Sequence, residues 1–272
     1  MLKSRKNTVG RVIYGMKVGY AKRDVTPPTG IRLGGYGHRF GQPSQSVHDS
    51  LLASALHIEP RGGDVLLIHC DVLGVYRSFA DNVKKVLQAR TGIRSNRIFL
   101  TTTHTHSGPE TIVPMWPNTF PYSKEEKMVF NQWEKFFRES IIEASVEAYE
   151  NSSPASIRFG TARVSGLTYN RTYRNGVIDE RMPFILIRNR DFRIILTNYC
   201  CHPVCNTDFS ISADYPGELY ANMLRNGFEV FFTTGPAGDI DPVEKKQGLH
   251  IENGFQHAAC VERRDEKHGR IS

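Results

Sequence analysis

The 272-residue sequence has few cysteines and no long hydrophobic run. Because no stretch of about 18 apolar residues is present, we expect no membrane-spanning helix. No apolar segment follows the basic residues at the N-terminus, so a secretory signal is not expected. The cysteines form an odd set, which predicts reduced thiols and a cytoplasmic protein; they are Cys70, Cys200, Cys201, Cys205 and Cys260.

The positive charge of the chain is concentrated at its N-terminal end. The net charge is +7, but residues 1–39 contain nine basic residues and one acid, Asp24, so this stretch alone carries +8. The rest of the chain therefore sums to −1. Proteins that bind nucleic acid usually spread basic residues over a face or along a helix, so nucleic acid is not an expected partner.

Hydrophobic periodicity predicts alternating strands and helices. We expect strands at 65–71, 97–103, 155–164, 183–189, 193–199 and 228–234, and helices at 78–91, 123–151 and 215–226. Residues 24–46 are rich in glycine and proline, which predicts a long functional loop. The strand–helix–strand order over 65–103 indicates a parallel pair. We therefore predict one α/β domain over residues 1–272, with a mixed β-sheet flanked by α-helices and a metal site at strand C-terminal ends.

The segment Thr101-Thr-Thr-His104-Thr-His106-Ser-Gly-Pro109 directly follows a predicted strand. Two histidines separated by one residue on an extended backbone project from the same side. Ligands of α/β proteins collect at the carboxyl ends of strands. The pair therefore suits one metal ligand with one acid/base group, or two metal ligands. The alternative is a pair of histidines satisfied by neighbouring carbonyls, which the surrounding threonines and the Ser-Gly-Pro turn make less attractive.

His202 follows a second predicted strand, at 193–199. Imidazole is the commonest zinc ligand, and catalytic sites take their ligands from separate strands. The neighbouring Cys201 and Cys205 are candidate thiolate ligands, although buried strand thiols are the simpler interpretation.

Four aspartates follow predicted strands or precede a predicted helix. Asp71 ends the strand at 65–71, and Asp239 and Asp241 lie in a Gly/Pro-rich turn after the strand at 228–234. Asp214 precedes a helix, which is typical of an N-cap residue. All four are candidates for additional metal ligands, with the N-cap role favoured for Asp214.

Together these motifs resemble the neutral/alkaline, non-lysosomal ceramidase family, in its N-terminal catalytic domain. The string Thr103-His-Thr-His-Ser-Gly-Pro109 is the most specific match. The resemblance extends over about residues 17–242 and includes Asp24-Val-Thr-Pro-Pro with the Gly-Gly-Tyr36 loop, Asn170-Arg-Thr172, His202-Pro203, Asp214-Tyr-Pro-Gly217 and Gly238-Asp-Ile-Asp-Pro242.

The resemblance implies a zinc amidase that acts on a small-molecule or lipid amide. The family's two metal histidines correspond to His104 and His202, and its substrate-site histidine and arginine correspond to His106 and Arg171. Zinc lowers the pKa of a bound water. The His106 imidazolium or the Arg171 guanidinium would stabilise the oxyanion.

The sequence departs from the family pattern in two places. Asp241 replaces the serine of Gly-Asp-Val-Ser-Pro, and a carboxylate there can act as a general base or bind a cation. The family also completes its zinc shell with a glutamate and a tyrosine from beyond residue 272. We therefore expect a shortened, C-terminally incomplete member, in which these ligands are absent or replaced by Asp71, Asp214, Asp239 or Asp241.

Three functions remain open at this point. The leading hypothesis is zinc-dependent hydrolysis of an N-acyl amide, with Trp116, Phe120 and Tyr122 receiving an apolar chain or covering the core. The second is a catalytically inactive family member that binds a ligand or a partner. The third is a metal phosphoesterase that uses the two histidines of the motif and the two aspartates of the 239–241 turn.

Overall fold

The computed structural model describes residues 8–112 and 119–243. Within these ranges the helices are α1 (Arg77–Thr91), α2 (Lys124–Glu150) and α3 (Tyr215–Arg225). The strands are β1 (Thr8–Asp24), β2 (Ser46–Val47), β3 (Leu52–Glu59), β4 (Val65–Cys70), β5 (Ile98–Thr102), β6 (Ser153–Arg163), β7 (Thr168–Asn170), β8 (Arg181–Arg188), β9 (Arg193–Tyr199), β10 (Ser210–Ile211), β11 (Glu229–Thr234) and β12 (Ile240–Pro242).

Eight of these strands form one mixed sheet in the order β11-β9-β8-β6-β1-β3-β4-β5. The pairs β4–β5 and β9–β11 are parallel, and the other neighbouring pairs are antiparallel. The predicted mixed sheet is confirmed, and so is the parallel pair on either side of α1. β2 pairs with β10 and β7 pairs with β12 in two small separate sheets.

The two ends of the large sheet approach each other. β11, at one edge, contacts β4 and β5 at the other edge. Oγ1 of Thr234, the last residue of β11, donates to the carbonyl of Thr103 at 2.6 Å, just beyond the end of β5. The ring of His69 in β4 lies 5.7 Å from that of Phe231 and 6.3 Å from that of Phe232, between centroids. The sheet therefore folds back on itself as two facing layers.

Three hydrophobic clusters form the core of the protein. One joins β1, β3, β4 and β5 to α1 and α2, and another joins β6, β8, β9 and β11 to α3. The third lies between the two halves of the sheet and includes Val18, Leu56, Ile187 and Phe231. The helices thus cover the outer faces of a folded sheet. Among the described residues, no helix has the length and apolar character needed to cross a membrane.

Helix α2 follows the sequence prediction closely. The Ser123 side chain accepts the backbone N–H of Glu126, and the Glu126 side chain accepts the backbone N–H of Ser123. This capping box satisfies two amides that would otherwise lack partners at the helix start. Trp133 and Phe137 are buried and stack at 5.0 Å between centroids, so the aromatic stripe belongs to the core.

Strands β1 and β3 are the main elements that the sequence pattern does not reveal. β1 contains Gly10 and Gly15, and its register against β6 shifts between Val9 and Val12 and between Ile13 and Met16. Such irregularities interrupt the alternation by which a strand is recognised. The loop expected at 24–46 is irregular apart from the strand residues at its two ends and a three-residue 3-10 helix at Gly37–Arg39. Cys70, Cys200, Cys201 and Cys205 are free, as expected, and Cys260 lies outside the described residues.

Asp71 follows β4 and is fully buried at the start of the segment that joins β4 to α1. Its carboxylate accepts the backbone N–H of Leu52 at 2.8 Å and the hydroxyl of Tyr220 at 3.1 Å. Nε2 of His69 lies 3.8 Å from Oδ1 of Asp71. Burial raises the pKa of Asp71 to about 8 and lowers the pKa of His69 to about 3, so both side chains are neutral at pH 7.

These pKa values predict a pH dependence of stability. Between about pH 4 and 8 the folded protein keeps a proton on Asp71 that the unfolded chain has released, so rising pH lowers the free energy of unfolding. His69 opposes this trend only below about pH 6.5, where the unfolded chain takes up a proton. From pH 6.5 to 8 we expect the wild-type protein to lose up to about 2 kcal/mol relative to Asp71→Asn.

Urea unfolding at several pH values measures this difference. Asp81→Asn, which changes an exposed carboxylate of α1, should follow the wild-type protein at every pH. Parallel pH profiles for Asp71→Asn and the wild-type protein would contradict the prediction.

Candidate metal and active site

His104 lies directly beyond β5 in an unusual backbone conformation. Its φ of 67° is in the left-handed region, and its N–H donates to the carbonyl of Val72 at 3.1 Å. Its Nδ1–H donates to the carbonyl of Leu73 at 2.6 Å, because a carbonyl can only accept. The proton therefore resides on Nδ1, and Nε2 keeps a lone pair.

His202 lies beyond β9 and is oriented in the same manner. Its N–H donates to the carbonyl of Ile240 at 2.8 Å, and its Nδ1–H donates to the carbonyl of Ala237 at 3.3 Å. Its Nε2 also keeps a lone pair and lies 2.9 Å from Nε2 of His106. Metal-binding histidines usually donate the second ring nitrogen to a carbonyl or carboxylate in this way, which fixes the tautomer and the ring orientation.

The rings of His104, His106 and His202 converge on one point. Their centroids are 5.2, 5.0 and 4.8 Å apart in pairs, and one ligand nitrogen from each lies within 4.8 Å of the others. This set of imidazole nitrogens can hold a metal ion. In the part of the chain that the structure describes, it is the one such cluster, and it contains none of the four candidate aspartates.

Burial and basic neighbours act on two of the imidazoles, those of His106 and His202. Burial lowers the pKa of His106 to about 3, and His202, His104, Arg39 and Arg171 act in the same direction. Burial also lowers the pKa of His202, again with help from His104 and Arg171. For His106 and His202 the neutral form is therefore favoured at neutral pH.

The β7–β12 sheet brings Arg171 and Asp241 to the same place. Nε and Nη2 of Arg171 donate to the carbonyl of Gly238 at 3.1 and 2.6 Å. Nη1 of Arg171 lies 3.4 Å from Oδ1 of the buried Asp241. Since His202 is hydrogen-bonded to Ile240 of β12, this arginine–aspartate pair lies beside the histidine cluster.

A comparison with known families identifies the chain. The model of the neutral/alkaline non-lysosomal ceramidase N-terminal domain matches residues 16–182. The chain belongs to this family. The match contains the histidine motif and Arg171, and the resemblance read from the sequence is confirmed.

Solved structures show the same fold as this ceramidase-family chain. A ceramidase complexed with C2 has a TM-score of 0.70 at 19% identity, with 85% of this chain and 39% of that chain covered. The neutral ceramidase of Pseudomonas aeruginosa has a TM-score of 0.71 at 19% identity, with coverage of 93% and 44%. The chain thus spans about two fifths of the length of these structures. No curated protein sequence matches it.

Other candidate residues of this ceramidase-family chain hold its backbone in place. Asp214 is buried and caps α3, and its carboxylate accepts the N–H groups of Cys205, Asn206 and Tyr215 at 2.8–3.1 Å. The Asp239 carboxylate accepts Nδ2 of Asn170 at 2.7 Å. Asp214 therefore has the N-cap role that its position in the sequence favours.

The candidate thiolates and aromatics also have defined places. Burial raises the pKa of Cys201 and Cys205, so both remain thiols, as the simpler interpretation holds. Tyr122 donates to a carboxylate oxygen of Glu110 at 2.6 Å, and the carbonyl of Phe120 accepts Nη1 of Arg32 at 2.6 Å. Trp116 lies outside the described residues.

The glycine-rich loop supplies site residues that the sequence motifs did not identify. Arg39 is buried, and its guanidinium donates to the carbonyls of Gly34, His106 and Asp208 and to Oγ of Ser107. The ring of Tyr36 packs edge-on against that of His106 at 5.0 Å. The many glycines around Tyr36 and Arg39 predicted a functional loop. They did not indicate which side chains of the loop reach the site.

Gly35 lets this loop approach His106. Its φ is +89°, and a Cβ at this position would lie 2.4 Å from Cγ of His106 and 2.6 Å from Nδ1. Only glycine fits here, both for its backbone conformation and for the contact with the imidazole.

We expect Gly35→Ala to displace the His106 imidazole and to lower the free energy of unfolding by about 1–3 kcal/mol beyond the cost of the unfavourable φ, because the added Cβ overlaps the ring. Gly30→Ala is the matched control, because Gly30 has a similar φ of +93° but nothing within 4 Å of an added Cβ. Both variants should lose about 1 kcal/mol from the unfavourable φ. Urea unfolding compares the stabilities of the two variants, and equal losses would contradict the close contact between Gly35 and His106.

Proposed function

We propose that this chain is a metal-dependent hydrolase of an amide (N-acyl) bond and that Zn²⁺ is the ion it uses. The observation that carries the proposal is the shared orientation of His104 and His202. Each donates Nδ1–H to a backbone carbonyl, which leaves Nε2 as the ring nitrogen that can bind an ion in the space between them. Membership of the ceramidase family supports an amide substrate, as does the complex of a fold relative with C2. We propose a small-molecule or lipid amide.

His104 and His202 would hold the ion. When bound, zinc acts as a Lewis acid and lowers the pKa of a water to about 7. One ligand nitrogen from each histidine of the cluster lies within 4.8 Å of the others, so His104 and His202 are near enough to share an ion. His106 belongs to the same cluster but, unlike the other two, its Nδ1 has no hydrogen-bond partner in the described chain. We assign His106 to the substrate.

Arg171 is positioned to stabilise negative charge on the amide oxygen as the carbonyl is attacked. Two of its nitrogens are fixed by the Gly238 carbonyl, so the guanidinium is held in place before the reaction begins. A positive group that needs no reorganisation is effective at an oxyanion. The neutral His106 can donate a hydrogen bond to the same oxygen.

Asp241 is the proposed proton carrier. Its carboxylate is buried next to Arg171 and replaces the serine of the family motif. It would accept the proton from the attacking water and return it to the amide nitrogen as the C–N bond breaks, which yields a carboxylic acid and an amine. The phosphoesterase hypothesis requires Asp239 to act together with the histidines. It is less well supported, because the Asp239 carboxylate accepts a hydrogen bond from Asn170 and lies outside the histidine cluster.

The first test removes a metal ligand. We expect His104→Ala to lose stoichiometric zinc and at least about 100-fold of the N-acyl amide hydrolysis, because the remaining imidazoles cannot hold the ion in place. Metal analysis and a fluorogenic N-acyl amide measure the two effects. His48→Ala is the control, since that imidazole is exposed.

The outcomes separate the three hypotheses. A wild-type protein without zinc, or activity unaffected by His104→Ala, would exclude the proposed function. Bound zinc without turnover would instead identify an inactive binding protein. Hydrolysis of an aryl phosphate but not of the amide would indicate a phosphoesterase.

The second test concerns Arg171. We expect Arg171→Gln to lower kcat about 100- to 1000-fold with little change in KM, because the guanidinium acts on charge that develops in the transition state. Arg174→Gln is the control, since Arg174 is an exposed arginine three residues further along. A rise in KM with unchanged kcat would contradict this role.

A further inference from the structure

Tyr36 is held between the histidine cluster and the buried arginine. Its ring centroid lies 5.0 Å from that of His106, and Cζ of Arg39 lies 4.8 Å from the centroid of the same ring. The ring of His38 packs at 5.1 Å on the tyrosine as well. These contacts fix the ring, and all of them involve its aromatic part rather than its hydroxyl.

The hydroxyl of Tyr36 is buried and has no hydrogen-bond partner among the described residues, although the ring itself is partly exposed. Among the described residues, three other buried or half-buried tyrosine hydroxyls are paired: Tyr220 with Asp71, Tyr215 with the Cys201 carbonyl and Tyr122 with Glu110. The hydroxyl of Tyr199 also lacks a partner, but Tyr199 lies in the hydrophobic core and not beside the histidine cluster. A buried hydroxyl without a partner reduces stability, and one retained next to a reaction site calls for an explanation.

The place of this hydroxyl points to a ligand. Asp214, Asp241 and Arg39 all act electrostatically on the Tyr36 phenol. The loop holds the ring there through Gly35, whose backbone packs against the His106 imidazole. A substrate group that reaches His106 is therefore next to the Tyr36 ring.

We propose that the Tyr36 hydroxyl is a substrate-binding group, which donates a hydrogen bond to a polar atom of the amide substrate next to His106. This inference rests on the proposed amide hydrolysis for the nature of the substrate. No covalent bond to Tyr36 is formed, and its proton stays on the phenol oxygen. The unpaired hydroxyl of the free protein is then satisfied when the substrate is bound.

Tyr36→Phe tests this role because it removes the hydroxyl and keeps the ring contacts. We expect kcat/KM for N-octanoylethanolamine to fall about 10- to 100-fold, with zinc content unchanged. We also expect Tm to rise by about 2–4 °C, because an unpaired buried hydroxyl is replaced by an apolar edge. A merely structural tyrosine would lower Tm when changed.

Tyr122→Phe is the matched control for stability. Its hydroxyl is paired with Glu110, so its removal should lower Tm. A fall in Tm for Tyr36→Phe, or an unchanged kcat/KM, would overturn the inference.

Calorimetry distinguishes this inference from the proposed function. If the wild-type protein does not hydrolyse the amide, the proposed function is wrong, but binding of N-octanoylethanolamine can still be measured for both proteins. Weaker binding to Tyr36→Phe then supports the inference. Equal binding, or no binding to either protein, overturns it.

Discussion

The site depends on the return of one sheet upon itself. His104 follows β5, which lies at one edge, whereas His202 follows β9, which is second from the other edge. In a flat sheet these positions would be separated by the width of five intervening strands. The contact of β11 with β4 and β5, and the hydrogen bond from Thr234 to the Thr103 carbonyl, bring the two strand ends together. The imidazoles then need only short loops to meet.

The irregular backbone of these loops is stabilised by buried hydrogen bonds. His104 and Asp214 both have positive φ values, which are unfavourable for residues with a Cβ. The N–H of His104 is bonded to Val72, and Asp214 accepts three backbone N–H groups. Asp214, a candidate metal ligand in the sequence, thus contributes another kind of support. It holds the chain in a conformation that follows the His202 segment, and its carboxylate is occupied by backbone N–H groups.

The sequence contained enough information for the strands and helices with regular periodicity, and for the histidine motif. The capping box of Ser123 and the apolar spacing of α2 are local properties, so they could be predicted residue by residue. β1 could not, because its bulges break the alternation. The proximity of His104 and His202 depends on how the sheet closes, and this cannot be predicted from a local sequence pattern. For the same reason the motifs did not identify Arg39 and Tyr36, whose partners lie far away along the chain.

The buried guanidinium of Arg39 has a consequence for the order of folding. Its hydrogen bonds reach His106, 67 residues away, and Asp208, 169 residues away. Contacts with such large sequence separations require long loops to close first, and the entropy of closure delays them. We expect α1, α2 and the hairpin of β8 and β9 to form before these contacts. The histidine cluster is then completed late, so partly folded chains have a core but no assembled site.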